Sequence, residues 1–140
     1  EDDIRKVKVS ADNMQFVVAG DSAGSMLAGL LCVINTNDEY SNRLGVVPAL
    51  KNTDISIKGY ISIAGLVDVS RFGNTGNIFV DWYFDTMARC ALNDLNYVTS
   101  NKTLEIGSVL HNINSNFVPT FISDGNFGTF TNQNYDLIKI

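Results

Sequence analysis

Residues Phe16–Leu31 read FVVAGDSAGSMLAGLL, and how this stretch folds decides the architecture. Its start, with the residues before it (MQFVVA, 14–19), is a near-continuous apolar run of strand length, as expected for a parallel strand buried on both faces. From Ala23 the period changes. Ala23, Met26, Leu27, Leu30 and Val33/Ile34 recur three and four residues apart, which predicts a helix to about Ile34 with these residues on its apolar face. Gly24, Ala28 and Gly29 would let that helix lie close to a sheet. Between strand and helix sits Gly20-Asp21-Ser22-Ala23-Gly24, a G-x-S-x-G pattern in its diagnostic setting. Two readings of Ser22 follow. It is a nucleophile raised above the sheet on a sharp turn, with the Ala23 N–H at the positive helix start facing a developing oxyanion. Or it is a helix N-cap, with glycines for close packing.

Outward from this turn, Asn35–Arg43 reads as a polar connection and Leu44–Asp54 as loop. Ile57–Leu66 is a second strand, ending at Asp68, and Ser70–Asn77 a Gly/Asn loop. Ile78–Leu92 reads as a helix with Asp81, Asp85 and Arg89 at four-residue steps on one face. Residues 93–117 are mixed and rich in Asn. Val118–Ser123 is a third strand, with Pro119 near its start, where a missing donor does least harm. Residues 124–128 form a turn, and the segment 129–140 begins a last helix. Residues 3–9 fit the end of a helix. Three strands with intervening helices predict an α/β fold, part of a parallel doubly wound sheet with right-handed crossovers. Ligands of such sheets sit beyond the carboxyl ends of the strands. Gly20–Gly24, Gly65–Asp68 and Ser123–Gly128 are expected to share that rim.

The bulk numbers narrow the function classes. The chain has 140 residues, 45% hydrophobic and 18% charged, with a net charge of −5, which suits one ordinary globular domain. With no dense basic run, nucleic acid and anionic membrane are not expected partners. The longest apolar run contains glycines and is too short to span a bilayer. Cys32 and Cys90 are widely spaced and form neither a metal pattern nor a disulfide framework, so both are expected to be reduced interior thiols.

The residues SADNMQFVVAGDSAGSMLAGLL (10–31), IKGYISIAGLVDVS (57–70) and VPTFISDGNFGTF (118–130) resemble the α/β-hydrolase superfamily, in particular its lipase and carboxylesterase branch related to hormone-sensitive lipase. They are similar, in turn, to that branch's GDSAG elbow, its next strand and the strand that delivers the catalytic acid. The GDSGG of trypsin-like proteases differs: it lies in an all-β barrel and is followed by strand, whereas Ala23 here opens a helical pattern. The resemblance implies a serine-dependent carboxylic ester hydrolase working through an acyl-enzyme on a small-molecule ester, with no metal or other cofactor. Ser22 is then the nucleophile and Ala23 an oxyanion donor, while Gly20, Asp21 and Gly24 build the elbow.

In this superfamily the order along the chain is serine, acid, histidine. Asp124, after the third strand, is the candidate acid. The family's acid usually lies a few residues further into the loop, where this chain reads GNFGTF and carries no carboxylate. Asp68, at the end of the second strand, is the alternative acid. The single histidine, His111, precedes the third strand, whereas the family's base follows it, so His111 is expected to be a loop residue. The family's oxyanion loop, a His-Gly-Gly-type stretch, belongs before residue 1. The 140 residues thus read as a partial hydrolase domain with a cap-like insertion at about 69–117. Its strand edges are expected to self-associate or to pair with missing segments of the same protein. Phe79, Trp82, Tyr83, Phe84 and Met87 are either the wall of an acyl pocket or core packing on the sheet. The second function class is a non-catalytic or truncated hydrolase-like domain that binds a ligand or partner.

Overall fold

A computed structural model describes residues 13–92 and 101–140; the segment 3–9 lies outside them. Strand β1 (Gln15–Asp21) leads into helix α1 (Ala23–Thr36) and a short helix α2 (Asp38–Leu44), followed by β2 (Ser56–Ile63). A 3-10 turn (Val69–Arg71) and helices α3 (Ile78–Leu92) and α4 (Asn101–Gly107) separate β2 from β3 (Thr120–Ser123), and α5 (Thr131–Ile138) ends the chain. The three strands are parallel, in the order β1-β2-β3. This is the α/β arrangement that the alternation of strand and helix patterns predicts.

Register puts the chemistry where it is. Asp21 pairs with Ile63 and Ile63 with Ser123, so the three strands finish level. Side chains alternate across each strand, and the two faces of this sheet have different fates. Val18, Tyr60 and Ile122 belong to the main core with Cys32 and Val33 of α1, Val67, Val109 and Leu137 of α5. The opposite face carries Val17, Ile63 and Phe121, which are 54%, 45% and 64% exposed. The expectation that β1 is buried on both faces is therefore corrected: its burial alternates residue by residue, because the described helices that reach it pack on one side.

Helix α1 is also rotated from its expected setting. Its buried residues are Ser25, Ala28, Gly29, Cys32 and Val33, while Leu27 and Leu31 are exposed. The cause is close approach. A Cβ on Gly29 would stand 2.8 Å from a methyl of Val109 and 3.1 Å from the Tyr60 hydroxyl, so the helix meets its neighbours on small residues and turns larger ones away. Of the two cysteines only Cys32 is interior, and burial pushes its thiol up to about 11. Cys90 is exposed, contrary to expectation.

Asn35–Arg43, expected as a connection, holds the end of α1 and most of α2. The local chemistry explains the short helix. The Asn37 carboxamide oxygen accepts from the Tyr40 N–H at 3.1 Å, Asp38 and Glu39 fill the first turn, and Gly45 closes the helix at φ 69°. Tyr40 is buried and donates to the Ile106 carbonyl at 2.6 Å. Strand β2 stops at Ile63 rather than Leu66, since Ala64 takes a positive φ of 46° and bends the chain away. Strand β3 begins at Thr120, although the Pro119 carbonyl still accepts from the Tyr60 N–H.

Beyond the bend, Leu66, Val67 and Asp68 turn inward, and Asp68 is only 4% exposed. Its backbone N–H donates to Gln133 Oε1 of α5. Its carboxylate accepts from the Ser70 N–H and hydroxyl and from Arg71 Nε at 2.7 Å, and Arg71 reaches on to Asp136. Burial works to raise the Asp68 pKa, but the hydrogen bonds from Ser70 and Arg71 outweigh it and hold the carboxyl below the usual carboxylate value. Asp68→Ala is expected to cost about 3 kcal/mol near neutral pH, because it leaves the Ser70 N–H and hydroxyl without their acceptor and Arg71 with Asp136 alone. A depressed native pKa contributes stability above the unfolded value of about 3.9, and this is lost as pH falls through the native one. Urea unfolding across pH should therefore show the gap between wild type and variant closing as pH falls below about pH 4.

Candidate active site

Ser22 stands between the last residue of β1 and the first of α1 with φ 51° and ψ −119°. This backbone lies in the left-handed half of conformational space, where a side chain costs on the order of 1–3 kcal/mol unless its surroundings impose it. They do. The Ser22 N–H donates to the Ile63 carbonyl at 2.8 Å, and the Ser22 carbonyl accepts from the N–H groups of Ser25 and Met26. The turn is thus tied to β2 on one side and to the first turn of α1 on the other. The residue is exposed, and its side chain makes no capping hydrogen bond to the helix. Ser22 therefore holds the N-cap position through its backbone, while its hydroxyl takes no part in capping.

The two glycines of the pattern are not equivalent. A Cβ on Gly20 would fall 2.2 Å from the Gly24 carbonyl oxygen, inside the helix backbone. A Cβ on Gly24 would meet nothing within 4 Å. Gly20 is therefore the residue that lets strand and helix cross at this angle. Ala23 opens α1, so its N–H has no carbonyl one turn earlier to donate to, and it points where the helix end is positive. Asp21 is an exposed strand-end residue.

Asp124 shares this rim. The Ala64 N–H donates to the Ser123 carbonyl at 2.8 Å, which sets Asp124 beside Ala64 as Ser22 is set beside Ile63. Two strand spacings separate them, about 10 Å between backbones. One imidazole bonded through both nitrogens can bridge side chains that reach in from such a distance. The Asp124 carboxylate is half-buried and held in place: Oδ1 accepts from the Gly125 N–H at 2.7 Å, and Oδ2 from Asn134 Nδ2 at 2.6 Å. The same Asn134 amide donates to the Gly65 carbonyl, fastening α5 to the end of β2.

The remaining titratable candidates gather elsewhere. His111 Nε2 is 3.6 Å from Asp68 Oδ2. The next residue, Asn112, accepts from Asn37 through its carbonyl, at the carboxyl end of α1. Ser22 is at the other end of that 14-residue helix, about 21 Å away along its axis. The expectation that His111 is a loop residue away from the nucleophile agrees with this placement. Asp68, expected on the rim, is instead turned into the network with Ser70, Arg71 and His111. Among the described residues no group of His, Cys, Asp and Glu could hold a metal ion, and no helix is long and apolar enough to cross a membrane.

Three residues at this site are absent from the sequence reading: Ser25, Tyr60 and Ser62, all buried directly beneath the turn. The signal that could have found two of them is the pair of hydroxyls two residues apart on one face of an otherwise apolar strand. Asn134 is a fourth, with no local signature.

No protein-family model matches the chain, and no curated protein matches it. Among solved structures it is similar to an inhibited esterase B from Lactobacillus rhamnosis, with a TM-score of 0.60 and 19% identity. The match covers 88% of this chain and 37% of that one. At this identity the likeness is one of fold: three parallel strands with intervening helices, shared with part of an esterase. The inequality of the glycines is testable. Gly20→Ala is expected to lower stability by about 3 kcal/mol or more. Gly24→Ala should be neutral or stabilising by about 0.5–1 kcal/mol, as replacing glycine within a helix usually is. Thermal melts of the two variants beside wild type give the comparison.

Proposed function

We propose that this chain carries the nucleophile and acid of a serine-dependent carboxylic ester hydrolase, similar to the lipase and carboxylesterase branch related to hormone-sensitive lipase. The observation that carries the reading is the backbone of Ser22, a strained, exposed serine at a strand-to-helix turn with a free helix N–H next to it. Strain of this kind persists at sites where geometry is used. Ser22 Oγ attacks the ester carbonyl while its proton passes to a histidine, and the resulting oxyanion takes a hydrogen bond from the Ala23 N–H. The imidazolium, oriented by Asp124, then returns the proton to the departing alcohol. Water, deprotonated by the same base, releases the acid and restores Ser22.

The base and the second oxyanion donor are assigned to segments outside these 140 residues, consistent with a chain that spans 37% of the esterase it resembles. Asp124 is preferred over Asp68 because it lies on the rim with Ser22, whereas both Asp68 oxygens already serve Ser70 and Arg71. Residues 69–117 are proposed as a cap. On α3, Phe84 packs on Phe130 with ring centroids 4.9 Å apart, while Phe79, Trp82, Tyr83 and Met87 stay exposed. Those four supply the apolar surface that an acyl group would use.

For the 140 residues by themselves a second reading has its own support. Their one histidine lies at the far end of α1, so the chain alone is a hydrolase-like domain without a base, able to bind but not to turn over. A fluorophosphonate probe tests both. In the protein that includes the flanking segments, Ser22 should be labelled, Ser22→Ala should abolish labelling, and Asp124→Asn should slow it by about 10⁴-fold. The 140-residue chain alone should label little or not at all. Absence of labelling in the larger protein overturns the enzyme reading; hydrolysis by the short chain that vanishes in His111→Ala would reinstate that histidine as base.

A further inference from the structure

The geometry points to Tyr60, Ser25 and Ser62 as positioning residues for Ser22, a directed chain of hydroxyls that locks the first turn of α1 onto β2. The inference rests on the reading of Ser22 as a nucleophile. All three side chains are buried, at 1%, 0% and 0% exposure. Ser25 Oγ lies 2.6 Å from Tyr60 Oη and 2.7 Å from Ser62 Oγ, and Tyr60 Oη is 2.9 Å from the Ser25 carbonyl oxygen.

Counting protons fixes the direction. A carbonyl only accepts, so Tyr60 gives its one O–H to the Ser25 carbonyl. It must then accept from Ser25 Oγ, whose own proton is thereby used, and Ser25 Oγ must accept from Ser62. The chain runs from the Ser62 hydroxyl to that of Ser25, on to Tyr60, and back to the Ser25 main chain. Every donor is satisfied, and Tyr60 grips the same helical residue at two atoms. Burial raises the phenol's pKa, so the donor stays protonated.

What makes this a device for Ser22 rather than ordinary core chemistry is where Ser25 leads. Its backbone N–H donates to the Ser22 carbonyl at 3.1 Å, so the residue held by the hydroxyl chain itself holds the strained turn. Tyr60 and Ser62 occupy one face of β2, and Ile63, the next residue, takes the Ser22 N–H. The turn is clamped from both its ends by residues of a single strand. Gly65 completes the fit: a Cβ there would stand 2.2 Å from Ser62 Oγ and 2.3 Å from Ser25 Oγ, so only glycine leaves the hydroxyls room. Three polar groups in a core are costly unless fully paired. Here they are paired, and they supply direction that apolar contacts would not.

The experiment uses Tyr60→Phe in the protein with its flanking segments, since it keeps the ring and deletes the shared hydroxyl. Two readouts separate positioning from folding. Fluorophosphonate kinetics should show an inactivation rate about 10- to 100-fold lower, as expected for a misplacement of order 1 Å, with the half-saturating probe concentration unchanged. Amide hydrogen exchange should accelerate at Ser25 and Met26 and stay as in wild type near Val33. Ser25→Ala combined with Tyr60→Phe should be no slower than the worse single variant, since both cut one chain. Should Tyr60→Phe not fold, Ser62→Ala removes the first link and should show the same pattern, about 3- to 10-fold. Wild-type labelling rate with unchanged local exchange overturns the inference, and so does an acceleration spread evenly over all helices. If wild type is not labelled at all, the hydrolase reading falls, and the exchange measurement alone then decides whether the hydroxyl chain holds the turn.

Discussion

The hydrogen bond from the Ser22 N–H to the Ile63 carbonyl is the constraint on which the rest depends. It forces the chain leaving β1 to turn toward β2 before α1 starts, and the positive φ of Ser22 is the cost of that turn. The helix can then begin only if it passes over Gly20 at contact distance, which excludes a side chain there. Its continuation lays Ser25, Ala28 and Gly29 on Tyr60 and Val109. One main-chain bond therefore sets the crossing of helix and strand, the choice of small residues along the buried face, and the exposure of the serine hydroxyl. The geometry of the site and the packing of the core are the same fact seen from two ends.

The sheet shows how unevenly the core is distributed. Its inner face is covered by α1 and α5, with Cys32, Val33, Tyr60 and Leu137 in one cluster. A second, smaller cluster of Val69, Ala88 and Leu104 ties α3 and α4 to the 3-10 turn after β2. The outer face of the sheet and the aromatic side of α3 remain in solvent. Alternation along β1 is what separates the inner face from the outer, and an apolar run alone does not reveal it. MQFVVA looks the same whether one face or both are covered; what decides is which elements arrive to cover them.

This explains what was legible in the chain and what was not. The shift of hydrophobic period at Ala23 marks the passage from strand to helix to the residue, and the glycine two before Ser22 marks the sharpness of the turn. Both are local, so they can be read locally. Helix α2 does not show in the apolar pattern because its signals are caps and charges, Asn37, Asp38, Glu39 and Gly45, rather than a long apolar period; Tyr40 and Ser41 are its buried residues. On α1 the expected close approach at Ala28 and Gly29 and the burial of Val33 hold, while Leu27, set on the apolar face by its period, is exposed, because size rather than hydrophobicity selects the buried side where a helix lies close to a strand. Ala28 and Gly29 go in, and Leu27 and Leu31 come out. Strand β2 ends before the expected Leu66 because Ala64 departs from extended geometry for a tertiary reason, the bond from its N–H to Ser123.

The two carboxylates that compete for the role of acid illustrate why position along the chain is a weaker guide than surroundings. Asp68 and Asp124 both follow strands, yet their surroundings differ. Asp68 has entered a network in which Ser70 donates twice to one oxygen and Arg71 to the other, with His111 beside it. Its negative charge is stabilised, and it is committed to holding the 3-10 turn to α5 through Arg71 and Asp136. Asp124 has a lighter attachment, one neighbouring N–H and one carboxamide, which fixes its orientation and leaves it acceptor capacity. A carboxylate that must accept from an imidazole needs this second condition: anchored enough to point, and unsaturated enough to bind.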